Sequence, residues 1–286
     1  MLSKIRIHSW GGLGSQLFAL ATAFQVHQKI PAREILLVVH SSGVTFRQLE
    51  LNFRSDWLRI EFFNDFKDST RAGGGEVSIS FFGFRNFLKR FLFALGFMNS
   101  VNTDLELQRL KPWVISVRGH YSHKTIDTDT LRFLAQILDL ELLGLESNGR
   151  IGVHYRLGDL LTLDSKSFIS EKMLVNQLLF LRSTYKLSEI DVFTDSPLAA
   201  HDLLKPIGTN LNVFNKETLT TIQQLLNYNI FVGTNSKISI WVTLFRLSAD
   251  PRSIVFLPSQ SREEISRILP TFSSWENLYF FDFNER

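Results

Sequence analysis

The sequence predicts an α/β protein of two Rossmann-like lobes facing across a cleft, and three observations predict it. From Ile151 onward, short β-branched runs alternate regularly with helical stretches. Near the start, a strand-like run ends in a glycine cluster and passes directly into an apolar helix. The chain is also long enough, at 286 residues with 44% hydrophobic content, to fill two cores of ordinary size. Strands alternating with helices at this spacing make parallel sheets covered on both faces. The polar, glycine-bearing stretch Gly144 to Arg150 is the natural linker, giving lobes of residues 1–146 and 147–286.

Taken in order, Ile5 to His8 reads as a first strand. It runs through Gly11-Gly12-Leu13-Gly14-Ser15-Gln16 into a helix over Leu17 to His27. The run lacks the Lys-Ser/Thr of a Walker loop and the third glycine of a dinucleotide fingerprint, so close helix-strand packing and ligand contact both remain open for it. Glu34 to His40 is a strand buried on both faces. The segment to about Glu76 is charged and aromatic and ends in three glycines. Phe81 to Phe97 then interleaves Arg85, Lys89 and Arg90 with ten Phe or Leu positions, which suits either an amphipathic helix on the protein's own core or a membrane interface. Pro112 to His120 reads as a further strand, and Leu131 to Leu143 as a helix that Asp127 and Asp129 can cap.

The second half is more regular. Strands are expected at Ile151 to His154, Ile190 to Thr194, Leu211 to Phe214, Ile230 to Gly233 and Ser253 to Pro258. Helices are expected at Ser170 to Leu181, Leu198 to Leu204, Glu217 to Leu226 and Ile238 to Leu247.

Composition narrows the chemistry. Cysteine is absent, which removes disulfides and thiolate metal sites and fits the cytoplasm. The net charge of +3 is too small for a dedicated nucleic-acid binder but suits an anionic small molecule or an anionic membrane surface. Uninterrupted apolar stretches fall well short of the roughly 18 residues that span a bilayer, so a cytoplasmic protein, in peripheral contact with the inner face of the membrane at most, is expected.

Three strand ends meet at one edge if the second sheet is parallel: His154, Arg156 and Asp159; Thr194, Asp195 and Ser196; and Gly233 to Ser236, which opens the helix carrying Ser239. In open α/β sheets ligands bind at that edge. A helix start beginning at Ser236 attracts anions, and the guanidinium fork of Arg156 matches a phosphate and can stabilise a diphosphate leaving group.

These stretches, GGLGSQLF, His154-Tyr155-Arg156-Leu157-Gly158-Asp159, Phe193-Thr194-Asp195-Ser196 and Thr234-Asn235-Ser236-Lys237-Ile238-Ser239-Ile240-Trp241, resemble the ordered motifs of the α-1,2-fucosyltransferases and the superfamily they share with α-1,6- and protein O-fucosyltransferases. The resemblance implies a GT-B fold, an acceptor-side first lobe and a donor-binding second lobe. It also implies inverting, metal-independent transfer of L-fucose from GDP-fucose to a hydroxyl of a glycan or lipid-linked glycan, with no cofactor. Carried onto this chain, Arg156, His154 and Asp159 are the catalytic candidates. Asp195, Asn235, Ser236, Lys237 and Ser239 join His154 and Arg156 in holding the donor, and Gly11, Gly12, Gly14 and Gln16 line the cleft from the first lobe. The Asp127-Thr128-Asp129 triplet matches the metal-binding DxD of another glycosyltransferase class, but the polar residues before it do not read as a strand, and helix capping explains it.

The motifs also depart from the family. Leu157 stands in place of a second arginine, Ser15 in place of an asparagine, and Ser196 in place of a second acidic residue. A different activated donor, such as another nucleotide sugar or phosphoribosyl diphosphate, therefore stays open, as does a catalytically degenerate nucleotide- or glycan-binding relative. The base that deprotonates the acceptor is not fixed: His8, Glu50 and Asp159 are all candidates.

Overall fold

The computed structural model describes residues 4–42, 48–51, 53, 55–65, 88, 90–140, 149–158, 170–208, 210–269 and 275–282. The chain forms two compact units, Met1–Ile126 and Asp127–Arg286, each built on its own parallel sheet.

The first unit runs β1 (Lys4–Trp10), α1 (Leu13–Lys29), β2 (Glu34–His40), β3 (Leu58–Phe63), β4 (Met98–Ser100), α2 (Asp104–Gln108) and β5 (Ser116–Arg118). Its sheet order is β3-β2-β1-β5-β4, all parallel. β1 alternates strictly, burying Ile5, Ile7 and Ser9 while Arg6, His8 and Trp10 turn to the other face. β2 is an interior strand buried almost throughout, as its β-branched and leucine run requires. α2 is set by a capping box between Thr103 and Glu106.

The second unit runs α3 (Thr128–Ile137), β6 (Arg150–His154), α4 (Glu171–Tyr185), β7 (Glu189–Phe193), α5 (Pro197–Leu204), β8 (Leu211–Phe214), α6 (Thr218–Leu225), β9 (Ile230–Val232), α7 (Lys237–Ala249), β10 (Ile254–Pro258), α8 (Arg262–Ile268) and β11 (Leu278–Phe281). The division between units falls ahead of the Gly144 to Arg150 stretch because α3 packs against α7. Asp127 caps α3, its Oδ1 accepting from Thr130 N at 2.7 Å, and Asp129 pairs with Arg132, so the DxD triplet serves its helix.

The sheet order β11-β10-β9-β6-β7-β8 places the first strand, β6, in the middle, with the chain winding outward first on one side and then on the other. On one face Ile151, Val153, Ile190 and Val192 pack with Leu174, Leu178 and Leu204 from α4 and α5. On the other, Gly152 lets the Tyr228 ring close onto the sheet, since an added Cβ would stand 2.6 Å from it. α7 is buried on almost every side from Ile238 to Leu247, which explains why apolar residues occur all round it.

Among the described residues no helix is long and apolar enough to cross a membrane. Residues 81–87 and 89 of the Phe81 to Phe97 stretch lie outside the described residues; residues 90–94 are helical, with Phe91 and Phe93 exposed.

Candidate functional site

The winding of the second sheet creates a switch point between β6 and β9, and a ligand crevice opens where chain direction diverges at the carboxyl ends of such strands. Arg156 follows β6, and Thr234 to Lys237 follow β9 and open α7. The two loops touch through Arg156 N, which donates to Thr234 Oγ1 at 3.3 Å. Gly233 is required between β9 and α7 because a Cβ there would meet Leu257 at 2.6 Å and Ser239 at 2.8 Å.

Ser239 organises this loop from inside α7. Thr234 N donates to Ser239 Oγ at 3.0 Å, and the serine hydroxyl lies 2.8 Å from Nδ1 of His154. The serine hydroxyl thus holds both the loop amide and the imidazole ring in place. Burial, reinforced by Arg156 and opposed by Asp195, pushes the pKa of His154 down to about 4. His154 is therefore a neutral, oriented imidazole at physiological pH and not a cation.

The positive charge comes from Arg156 and Lys237. Lys237 is the first residue of α7, and its ammonium is held below its usual pKa by burial and by Arg156, with Glu264 acting the other way. Two cations crowd the start of a helix of 13 residues, where the macrodipole adds further positive potential. Ser236 caps that helix, its Oγ accepting from Ile238 N at 3.3 Å. The arrangement suits an anion with several oxygens.

Other expected residues have different duties. Asp195 is exposed, and its Oδ1 accepts from both Leu157 N (3.0 Å) and Gly158 N (2.8 Å), so it ties the turn after β6 to the end of β7. Gly158 leaves room for that carboxylate, since an added Cβ would crowd Asp195 Oδ2 and displace it from the turn. Asn235 is half-buried on the β9–α7 loop, and Asp159 lies outside the described residues.

Gly11, Gly12, Gly14 and Gln16 belong to the first unit. Gly11 adopts φ +108°, the conformation that lets β1 turn directly into α1. Gln16 is wholly buried; its Nε2 donates to Gly11 O and Gln48 O, and its Oε1 accepts from Glu50 N. The side chain expected to line a cleft instead ties residues 48–50 to the glycine turn. Glu50 in turn accepts from Leu13 N at 2.9 Å and occupies the start of α1 with its carboxylate.

One feature had no counterpart in the sequence motifs. A cavity of about 330 Å³ is lined by residues including Arg150, Asp191, Phe193, Phe214, Lys216 and Tyr228. At its base the wholly buried Asp191 accepts from Tyr228 Oη (2.7 Å) and Asn212 Nδ2 (2.8 Å) and pairs with Arg150 (3.1 Å). Phe193 and Phe214 stack at 5.3 Å at the strand ends. The signal available was Asp191 itself, a carboxylate inside an apolar strand, which must be paired when buried.

No family model matches the sequence, and no curated protein matches it. Among solved structures the chain is similar to POFUT1 in complex with GDP, at 10% identity and TM-score 0.41 over 99% of both chains. It is also similar to E. coli heptosyltransferase WaaC with ADP, at 10% identity and TM-score 0.42 over 98% of this chain and 91% of that one. A third similar structure is the UDP-GlcNAc 2-epimerase from Neisseria meningitidis bound to UDP-GlcNAc, at 10% identity and TM-score 0.40 over 96% and 89%. None of these likenesses decides the chemistry, which rests on the residues at the crevice.

Proposed function

We propose that the chain is a glycosyltransferase that takes a sugar from a nucleoside diphosphate and passes it to a hydroxyl of a surface-glycan intermediate, in its most specific form L-fucose from GDP-fucose. The observation that carries this reading is the convergence of Arg156 and Lys237 at the switch point of the second sheet, against the start of α7. A departing nucleoside diphosphate gains negative charge as the sugar leaves, and fixed cations there stabilise the transition state more than the ground state. The neutral His154 adds a polar imidazole edge beside them. A single displacement by the acceptor hydroxyl inverts the anomeric centre. The protein's own positive groups supply the charge that a metal provides elsewhere, so no metal or other cofactor is invoked.

In this reading the protein works in the cytoplasm. The exposed Phe91 and Phe93 give it an apolar surface for peripheral contact with an anionic membrane that carries a lipid-linked acceptor.

Thermal shift of the full chain tests the donor. A ligand that binds only the folded state stabilises it by about 2.7 kcal/mol at 100 times its Kd. GDP-fucose and GDP are expected to raise the melting temperature, whereas a response only to UDP, CDP or phosphoribosyl diphosphate would replace fucose by another donor. Arg156→Ala is expected to remove the response and to leave the unliganded melting temperature unchanged, because the side chain is half-buried at a loop; an undiminished response would move the diphosphate elsewhere.

A further inference from the structure

The first sheet has a switch point of its own, between β1 and β5, and its strand ends carry a row of rings. Trp10, His40 and Phe63 are the last residues of β1, β2 and β3, and the parallel register sets Trp10 beside His40 and His40 beside Phe63. Register partners in a parallel sheet point to one face, and His8, two residues before Trp10, shares it. Arg118 ends β5 on the other side of β1, with its guanidinium carbon 5.9 Å from the centre of the Trp10 ring.

Hydrogen bonds fix this row before any ligand arrives. His8 Nδ1 lies 2.9 Å from Nε2 of His40, and Nδ1 of His40 lies 2.8 Å from Oδ2 of Asp65, just past β3. Both ring nitrogens of His40 are thereby engaged. The two imidazole centroids are 5.2 Å apart with their planes 27° apart; with the short nitrogen separation, the rings meet edge to edge. The Trp10 indole lies nearly parallel to both, 4.4 Å from His40 at 9° and 5.9 Å from His8 at 20°. One of its faces therefore rests on a floor of two imidazoles, and its 39% exposure belongs to the other face and the ring edge. Phe63, also exposed, meets His40 edge-on at 5.5 Å.

The two ends of the row differ in charge. Burial would raise the Asp65 carboxyl, but hydrogen bonds from His40 and Ser42 outweigh it and hold the group ionised below its usual range. Burial first, then Arg118, His40 and Arg6, push the pKa of His8 down to about 4, so that imidazole is uncharged at neutral pH. A partly exposed anion thus stands at the β3 end and the exposed Arg118 at the β5 end, with ring surface between them. Three strand spacings, roughly 14 Å, separate these outer strands, more than a single sugar ring covers.

We propose that this row is a saccharide-binding site contained within the first unit, and that its ligand is an oligosaccharide carrying a carboxylate. A sugar ring has an apolar C–H face and a rim of hydroxyls. The face covers the Trp10 ring, a gain of about 25 cal/mol for each Å² of apolar surface removed from water. The hydroxyls donate to Asp65, which when ionised can only accept. The sugar carboxylate matches the planar donor fork of Arg118. Because the imidazoles already hold the indole in place, little ordering of the site opposes binding. The site stands apart from the donor reading and needs no residue of the second unit.

The probes are two pairs of sugars that differ by an acidic group: lactose with 3′-sialyllactose, and cellobiose with cellobiouronic acid. Each is titrated into the full chain without any nucleotide, by calorimetry and by nitrogen-15 NMR of tryptophan-labelled protein, in which the Trp10 indole signal is the one missing from Trp10→Phe. The acidic member of at least one pair is expected to shift that signal and to bind about fivefold or more tightly than its neutral partner. Arg118→Gln is expected to abolish the preference while leaving the Kd of the neutral sugar within about twofold, since only the charge-assisted bond is lost. Trp10→Ala is expected to weaken the acidic and neutral sugars alike, by about tenfold or more.

Failure of all four sugars to shift the Trp10 signal overturns the site. Equal binding within both pairs, or an acidic preference that survives Arg118→Gln, overturns the acidic ligand. Arg118 is exposed, so its variant decides the matter even if the Trp10 variants fail to fold. Each of these results leaves the donor reading standing, and absence of transfer from every donor would leave saccharide binding by the first unit untouched.

Discussion

Ser239→Ala is the most informative single perturbation of the second unit, because one hydroxyl holds two buried groups. Thr234 N loses its acceptor and His154 Nδ1 loses its partner. Each buried polar group left without a partner costs about 1–3 kcal/mol, and alanine returns roughly 0.5 kcal/mol through its better helix propensity. The net loss is then roughly 2–5 kcal/mol, a large share of the stability of an ordinary domain. Thr243→Ala, one turn further along α7, is the control. Its hydroxyl only back-bonds to Ser239 O at 2.8 Å, so its removal orphans no group and costs little beyond a buried methyl, about 1 kcal/mol. Urea unfolding of both variants, followed by tryptophan fluorescence, reads the difference; Trp241 lies wholly buried in the same helix. A Ser239→Ala loss below about 1 kcal/mol, or equal to the control, would refute the assignment of this network. Because the same hydroxyl holds the loop that carries Ser236 and Lys237, the variant should also bind nucleoside diphosphate more weakly even where it remains fully folded.

Two further outcomes follow from the same geometry. His154 has a folded-state pKa of about 4 against an ordinary 6.5, so between these values the unfolded chain binds more protons and stability falls as pH falls. The loss approaches about 3 kcal/mol at pH 4 and vanishes above pH 6.5, with His8 adding to it in the same direction; His154→Gln should flatten the slope in urea titrations across that window. Gly158→Ala drives a Cβ into Asp195 and should cost about 1–3 kcal/mol through the two lost turn hydrogen bonds. Asp195→Ala added to it should then cost less than in the wild type, and strict additivity in the double-mutant cycle would count against the contact.

How much of this was legible beforehand depended on burial. The strands β6, β7, β9 and β10 announce themselves because they are interior and buried over all, or all but the first, of their residues, which are rich in Ile, Val and Phe. β3 and β4 did not, being edge strands: LRIEFF is exposed over most of its length, and MNS is three residues long with no apolar pattern. Arg156, Ser236 and Lys237 were legible as a group because each follows a recognisable strand or opens a recognisable helix. The duty of Asp195 was not, since its partners Leu157 and Gly158 lie far away in sequence and meet it only through the β6–β7 pairing. His40 and Asp65 were hidden for the same reason: their alignment with His8 is a property of the register of β1, β2 and β3.

The chain presents two strand–glycine–helix elbows at switch points, and elementary electrostatics separates them. At α1 the helix start is occupied by the Glu50 carboxylate, which satisfies Leu13 N and places a negative charge where an anion would have to sit. At α7 the cap is the neutral hydroxyl of Ser236, the next residue is Lys237, and Arg156 stands across the loop. On the proposed function a diphosphate is then expected at the second elbow and not at the first, although the first carries the richer glycine motif. Glu50→Gln tests this division. It keeps an acceptor for Leu13 N and removes only the charge, so stability should fall by about 0.3–1 kcal/mol. The Kd of the full chain for GDP, measured by calorimetry, should stay within about twofold. A tenfold tightening would mean that the carboxylate had been repelling the ligand at α1, and the donor site would then belong to the first unit.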